Sequence, residues 1–311
     1  MAPKPTAPKP KMKNLIGTLK DKISLIKTTI LLSNTTASSA AALVLRVTTH
    51  DPSTSPSDYL VDDEEIHSNS AFLGAFISAL LSRLNGTANA IVAIKCLLAL
   101  HRLLSRPSPA LLDQFNTTHF LNLSNFRDQD SIELSSWVRW YGAVIEQTLI
   151  VARSIKFRYS SSKFPSGFSS IDPKDRILAV SSEELLNEVR VLVGLIETIS
   201  TAPGRIEDQR IGLIHEAMKI VGEEYRMTMR EVAIRVEEIK GRVKGLSRDE
   251  LTGLGTELGK LLGSRDRLVS MFLNKKSNDG VWDLIEATKV EVGVAAVKMI
   301  KDSSVRLIGW V

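Results

Sequence analysis

Ile211–Ile239, IGLIHEAMKIVGEEYRMTMREVAIRVEEI, is the stretch that decides the fold class. Its apolar residues Ile211, Ile214, Met218, Val221, Tyr225, Met229, Val232, Val236 and Ile239 follow one another at steps of three and four. Because a helical turn takes about 3.6 residues, this spacing keeps them all on one stripe of an α-helix. The segment is predicted to be the longest helix of the chain.

The same periodicity recurs on either side. Upstream, Ile16, Leu19, Ile23, Ile26 and Ile30 form one stripe and Phe72, Phe76, Leu80 and Leu84 a second. Ile91, Ile94, Leu98, His101 and Leu104 form a third, closed by Arg106-Pro107, and a helix over about 132–157 carries Trp137, Tyr141, Val144 and Thr148. Leu185, Val189, Leu192, Ile196 and Ile199 mark the helix before the long one, and further helices are expected near 249–262, 265–275 and 281–301. No stretch alternates with the period of a strand. The expected architecture is all-α, an α-solenoid of stacked, mostly antiparallel helices. A Pro/Lys arm is read at 1–12, a helical domain at 13–301 with the Ser/Gly/Pro-rich loop 160–173 between its halves, and a short C-terminal end at 302–311.

Composition narrows the function. The chain has 311 residues, 43% of them hydrophobic and 5% aromatic, with a net charge of +5. Seven lysines and one aspartate fall within residues 1–27, so the whole positive excess is N-terminal. That argues against a broadly basic nucleic-acid surface and for a local attraction to an anionic one. Lys13, Lys20 and Lys27 recur every seven residues along one border of the first stripe, which suits a helix lying at a membrane interface. An ordinary first helix with solvated lysines has the same pattern. Prolines interrupt Met1–Pro10 where a secretory leader needs an apolar run, and no segment approaches about 18 apolar residues. A cytosolic protein is expected, with the sequons at Asn34, Asn85, Asn116 and Asn122 unused.

Catalytic and metal patterns fail in turn. His50, His67, His101, His119 and His215 make no HxH or HxxxH pair, and Cys96 has no CxxC partner. Gly253, Gly255 and Gly259-Lys260 imitate a phosphate loop, but Leu stands at 254 and 261 and no strand precedes them. No enzyme activity, cofactor or metal is expected.

Five blocks carry a family resemblance. They are NLIGTLKDKISLIKTTIL at Asn14–Leu31, LVLRVTTHDPSTSPSDYL at Leu43–Leu60, Lys95-Cys96-Leu97 with His101-Arg102-Leu103-Leu104, LNLSNFRD at Leu121–Asp128, and SWVRWY at Ser136–Tyr141. In order and spacing they resemble the ANTH domain of plant clathrin-assembly proteins over roughly residues 13–155. From about 180 to 300 only the helical pattern matches. The octet LNLSNFRD is read as fold-determining, with Leu121, Leu123 and Phe126 between helices and Ser124 and Asn125 capping the next segment.

The resemblance implies an adaptor for clathrin-mediated endocytosis. It implies binding to phosphoinositide membranes, to clathrin and adaptor proteins, and to a synaptobrevin-type SNARE helix in a groove of the later helices. It also implies a place at coated pits and vesicles and at the Golgi. The family's phosphoinositide motif reads Lys, nine residues, Lys, one residue, Lys or Arg, then His or Tyr. Laid on this chain it falls on Arg46, Pro56, Asp58 and Tyr59, so two of its cations are replaced. Arg46, His50 and Tyr59 are carried over as site residues, beside Lys13, Lys20 and Lys27. His50 can equally cap the end of its helix, and the acidic run Asp58–Glu65 opposes an anionic headgroup. Leu60-Val61-Asp62-Asp63-Glu64 fails as a clathrin box because Asp63 stands where an apolar residue is needed. A lipid-independent helical scaffold that captures partner helices stays open as the alternative.

Overall fold

The computed structural model describes residues 35–59, 66, 69–105, 109–115, 121–155, 177–204, 211–272 and 279–308. The arm 1–12, the first stripe with Lys13, Lys20 and Lys27, the acidic residues 62–65 and the loop 160–173 lie outside them. Among the described residues all regular structure is helical: α1 Thr36–Val47, α2 Ser70–Asn85, α3 Ala90–Leu104, α4 Pro109–Gln114, α5 Ile132–Ser154, α6 Ser182–Ser200, α7 Gly212–Arg242, α8 Arg248–Phe272 and α9 Asp279–Ile308. Single 3-10 turns stand at Pro56–Asp58 and Val243–Gly245. None of these helices is long and apolar enough to cross a membrane.

The chain divides into two compact units, Met1–Ile145 with Gln209–Ala217, and Glu146–Asp208 with Met218–Val311. In the first, α1 packs on α2, and α2 on α3 and α4. Every residue of α3 from Val92 to His101 is buried. A helix apolar on all sides belongs in a core, and α3 is the axis of this one. Burial pushes the Cys96 thiol up to about 12, so it stays protonated and inert. His101 Nδ1 lies 3.0 Å from the Tyr141 hydroxyl, tying α3 to α5.

The octet 121–128 seals the start of α3. Leu121 and Leu123 are buried, and Gly142 of α5 comes so close that an added Cβ would stand 2.8 Å from Leu123 Cδ1. Ser124 and Asn125 are exposed. Asp128 caps the earlier helix α3: its Oδ2 accepts the Ala90 N–H at 2.8 Å, while Asn89 Oδ1 accepts from Val92 at 3.1 Å. A carboxylate satisfies the orphan amides of a helix start and suits its positive end.

In the second unit α8 packs on both α6 and α9. The apolar stripe of α7 is buried from Met218 to Ile239. Arg235 of α7, 4% exposed, meets Glu188 of α6 and Glu231 of α7, each at 2.6 Å. A guanidinium this deep is tolerable only because carboxylates compensate its lost hydration. Tyr225 stacks on Phe272 of α8 with ring centroids 5.1 Å apart.

Two helix boundaries differ from expectation. The helices expected at 249–262 and 265–275 are one, α8, running through Gly263-Ser264. The Ser264 hydroxyl bonds back to Lys260 O at 3.1 Å, and buried Leu261 and Leu268 anchor the turns on either side. A mid-helix glycine costs only about 1 kcal/mol against alanine, less than this burial returns. Gly253, Gly255 and Gly259 lie inside the same helix, so no phosphate loop forms. The last helix runs past the expected boundary at 301 to Ile308.

Candidate functional site

The candidate corner begins where α1 ends. The Thr48 hydroxyl bonds back to Val44 O at 2.6 Å, and Arg83 of α2 donates to Thr48 O at 3.2 Å. Asp51 then turns the chain, its Oδ1 accepting the Ser53 amide at 2.9 Å and hydroxyl at 2.7 Å. These two bonds, hydroxyl first, hold the Asp51 carboxyl below its ordinary range, and the nearby Lys95 ammonium adds to the effect.

Lys95 reaches up from the core of α3. It is fully buried, and its Nζ donates to Thr49 Oγ1 at 3.0 Å, Asp51 O at 2.6 Å and Thr54 Oγ1 at 2.6 Å. This cation holds the 49–54 loop on the core helix and does not face solvent.

The next turn is built by the residues that the resemblance marks as replacements. Ser55 caps it, accepting the Ser57 amide at 2.9 Å, while Asp58 Oδ2 accepts the Ser55 amide at 2.9 Å. Pro56 is buried at the first position of the turn, where its fixed φ fits and its missing N–H costs nothing. The Ser55 hydroxyl donates to Glu216 Oε2 of α7 at 2.5 Å, and Ser57 donates to Oε1 of the same carboxylate. Arg102 of α3 donates to Ser57 Oγ at 2.5 Å and stands 3.8 Å from Glu216.

Of the three residues carried over, two come together. The Arg46 guanidinium lies 5.8 Å from the centroid of the Tyr59 ring, which is 40% exposed. Arg46 itself is exposed, and a cation over an aromatic face at this distance is attracted to it. His50 lies half-buried at the head of the Thr49–Thr54 loop. The residues that stand at the motif's second and third cation positions serve the fold instead. Pro56 is part of the packed core, and the Asp58 carboxylate closes the capping box.

Among the described residues the corner therefore presents one exposed guanidinium over a phenol, beside a half-buried imidazole. Asp51, Asp58 and Glu216 balance Lys95, Arg102 and Arg83 around it. Such a surface can take one phosphate oxygen pair through Arg46. Among the described residues it does not surround a polyphosphate with converging cations. Lys95 and Arg102, quoted above only within a family block, and Glu216 shape the corner without having been expected as site residues. Their partners lie 41 or more residues away along the chain, so no local pattern signals them. Among the described residues no group of three His, Cys, Asp or Glu side chains gathers as a metal site would.

A model of the ANTH domain matches residues 40–227. The chain is 31% identical over 296 residues to the Arabidopsis thaliana protein named "Putative clathrin assembly protein At4g40080", an alignment covering 90% of this chain and 80% of that one. It is 28% identical over 293 residues to "Putative clathrin assembly protein At5g10410" of the same plant, covering 89% and 85%. A third Arabidopsis thaliana protein, "Putative clathrin assembly protein At5g57200", is 32% identical over 127 residues, covering 39% of this chain and 22% of that one.

Proposed function

The chain belongs to the ANTH domain family, and on that premise we propose that it is a non-enzymatic adaptor of clathrin-mediated trafficking that works at phosphoinositide-containing membranes. The observation that carries the reading is the family match over residues 40–227, together with two relatives named as clathrin assembly proteins that align over at least 80% of their length. In this reading clathrin and its adaptor proteins are the protein partners, and coated pits, coated vesicles and the Golgi are the places of work.

Membrane attraction is divided between two elements. The lysine-rich segment 1–27 supplies the long-range pull, each lysine near an anionic surface contributing about 1 kcal/mol. Arg46, His50 and Tyr59 supply a short-range headgroup contact. Lys13, Lys20 and Lys27 act with the arm at the lipid surface. Capture of a synaptobrevin-type SNARE helix, in the same reading, requires α9 to leave its seat, because Trp282 and Ile285 are buried on the face of α9 that packs on α8.

A second reading is favoured by the buried Pro56 and the capping Asp58: a scaffold that captures partner helices without touching lipid. Co-sedimentation decides between the two. The full chain and a form lacking residues 1–12 are spun with neutral vesicles, phosphatidylserine vesicles, and charge-matched vesicles holding phosphatidylinositol bisphosphate. The adaptor reading expects binding to both anionic sets, a preference for the bisphosphate, and a sharp drop without the arm. Equal recovery with neutral and anionic vesicles overturns it in favour of the scaffold.

A further inference from the structure

The helix α9 has two apolar faces. One carries Trp282, Ile285, Thr288 and Val292, all buried, with α9 packed against α8 and the Val243–Gly245 turn. The other carries Val290, Val294 and Val297, exposed by 64%, 65% and 53%. Steps of four and three place these valines on a single outward seam, the spacing by which one helix packs along another. Seams of this kind are uncommon on monomers without a partner.

The two flanks of the seam differ. On one side stand Glu291 and Lys298. Seven residues apart, they cannot reach each other along their own helix, where ion pairs form at three or four. On the other side stand Gly293 and Ile300, with nothing within 4 Å of where a Gly293 Cβ would sit.

We infer that this face pairs with the same face of a second copy of the chain, running antiparallel about a two-fold axis between Ala295 and Ala296. Reversal about that axis sets Val294 of each copy against Val297 of the other. On one flank Glu291 meets Lys298 twice, once from each copy. On the other, Ile300 enters the space left open at Gly293. A two-fold contact requires a surface complementary to itself, with residue i meeting j and j meeting i. The order Glu291, Val294, Val297, Lys298 satisfies that requirement, and the same reversal sets Val290 against the exposed Lys301, whose aliphatic stem covers the valine while its ammonium stays in water. Glu286 and Glu291 stand beside the seam together with Lys298 and Lys301, a border of mixed charge that suits a second copy better than the cationic border of a helix lying on anionic lipid.

The apolar contribution is a few side chains, below the area of a standard stable interface, so dissociation is expected on the order of 10–100 μM. Sedimentation equilibrium of the full chain across that range tests the pairing. Glu291→Lys alone sets lysine against lysine at both flank contacts, and Lys298→Glu alone sets glutamate against glutamate. Each is expected to weaken association about tenfold. The double variant Glu291→Lys/Lys298→Glu restores it. So does an equimolar mixture of the two single variants, since both flank contacts are then of opposite sign. Circular dichroism confirms unchanged helix in each. A parent that stays monomeric, single variants that associate like the parent, or a mixture that stays monomeric overturns the inference.

Discussion

Substituting Asp58 separates the two readings of the corner, because its effects on lipid binding and on stability have opposite signs. Asp58 is exposed, and its carboxylate accepts the Ser55 amide at 2.9 Å. Asp58→Asn keeps an acceptor oxygen in place and removes one negative charge. At about 1 kcal/mol per charge near an anionic surface, vesicle affinity should rise roughly fivefold with little change in melting temperature. Asp58→Lys changes the charge by two units, so affinity should rise by about 2 kcal/mol, roughly thirtyfold. It also removes the cap, at a cost of about 1 kcal/mol of stability. Against a total of about 5–15 kcal/mol that loss leaves the protein folded. Vesicle co-sedimentation and thermal unfolding of the three proteins form the assay. Should Asp58→Lys lower the melting temperature while vesicle binding stays at the parent level, the corner does not face lipid. Pro56 is left alone in this series because it is buried, and a lysine there would dismantle the turn that is being tested.

Lys95→Met removes the donor shared by Thr49, Asp51 and Thr54 and leaves the loop only its own hydroxyl contacts, Thr49 to Thr54 at 3.1 Å and Thr54 to the Asp51 carbonyl at 3.2 Å, at a cost of about 1–3 kcal/mol. Hydrogen exchange at residues 49–54 should speed up, and unchanged protection would show that the ammonium does not hold the loop. Asp51 has a folded pKa below its unfolded one, so its contribution is present at neutral pH and is lost as pH falls through the folded value. The parent should therefore exceed Asp51→Asn in thermal stability at pH 6–7, and the gap should close below about pH 4; a gap independent of pH refutes this. Gly142→Ala forces a methyl to 2.8 Å from Leu123 Cδ1 and should cost about 1–3 kcal/mol in urea unfolding, whereas a neutral result would mean that the 121–128 segment shifts freely.

What could be read from the chain alone was whatever repeats locally. The stripe Met218–Ile239 is buried in the structure because each residue of the pattern faces the same neighbours. The break expected between 262 and 265, where Gly263 stands, misled for the opposite reason. A glycine punctuates a sequence, but its helix cost is small beside the burial of Leu261 and Leu268. The corner was legible only in part. Arg46 and Tyr59 were identified from a motif and do meet. Pro56 and Asp58 looked like losses, yet they build a turn whose partners, Arg102 and Glu216, come from distant segments. Asp128 caps a helix that precedes it, reaching the Ala90 amide 38 residues back, which no local pattern marks. Side-chain type indicates what a residue can do, and long-range packing selects which residue does it.

The clamp on Glu216 has a consequence for how the protein is made. Ser55 and Ser57 wait for a carboxylate 161 and 159 residues further on, and the first unit closes only when Gln209–Ala217 joins it. During synthesis, at about 5–20 residues per second, the early helices must stand for roughly 8–30 s before that segment emerges. In that interval Arg102 has no Glu216 to meet, and the Pro56 turn relies on its own cap. A chaperone that recognises exposed turns would find its substrate in that window, and a fragment ending before Gln209 would remain in it.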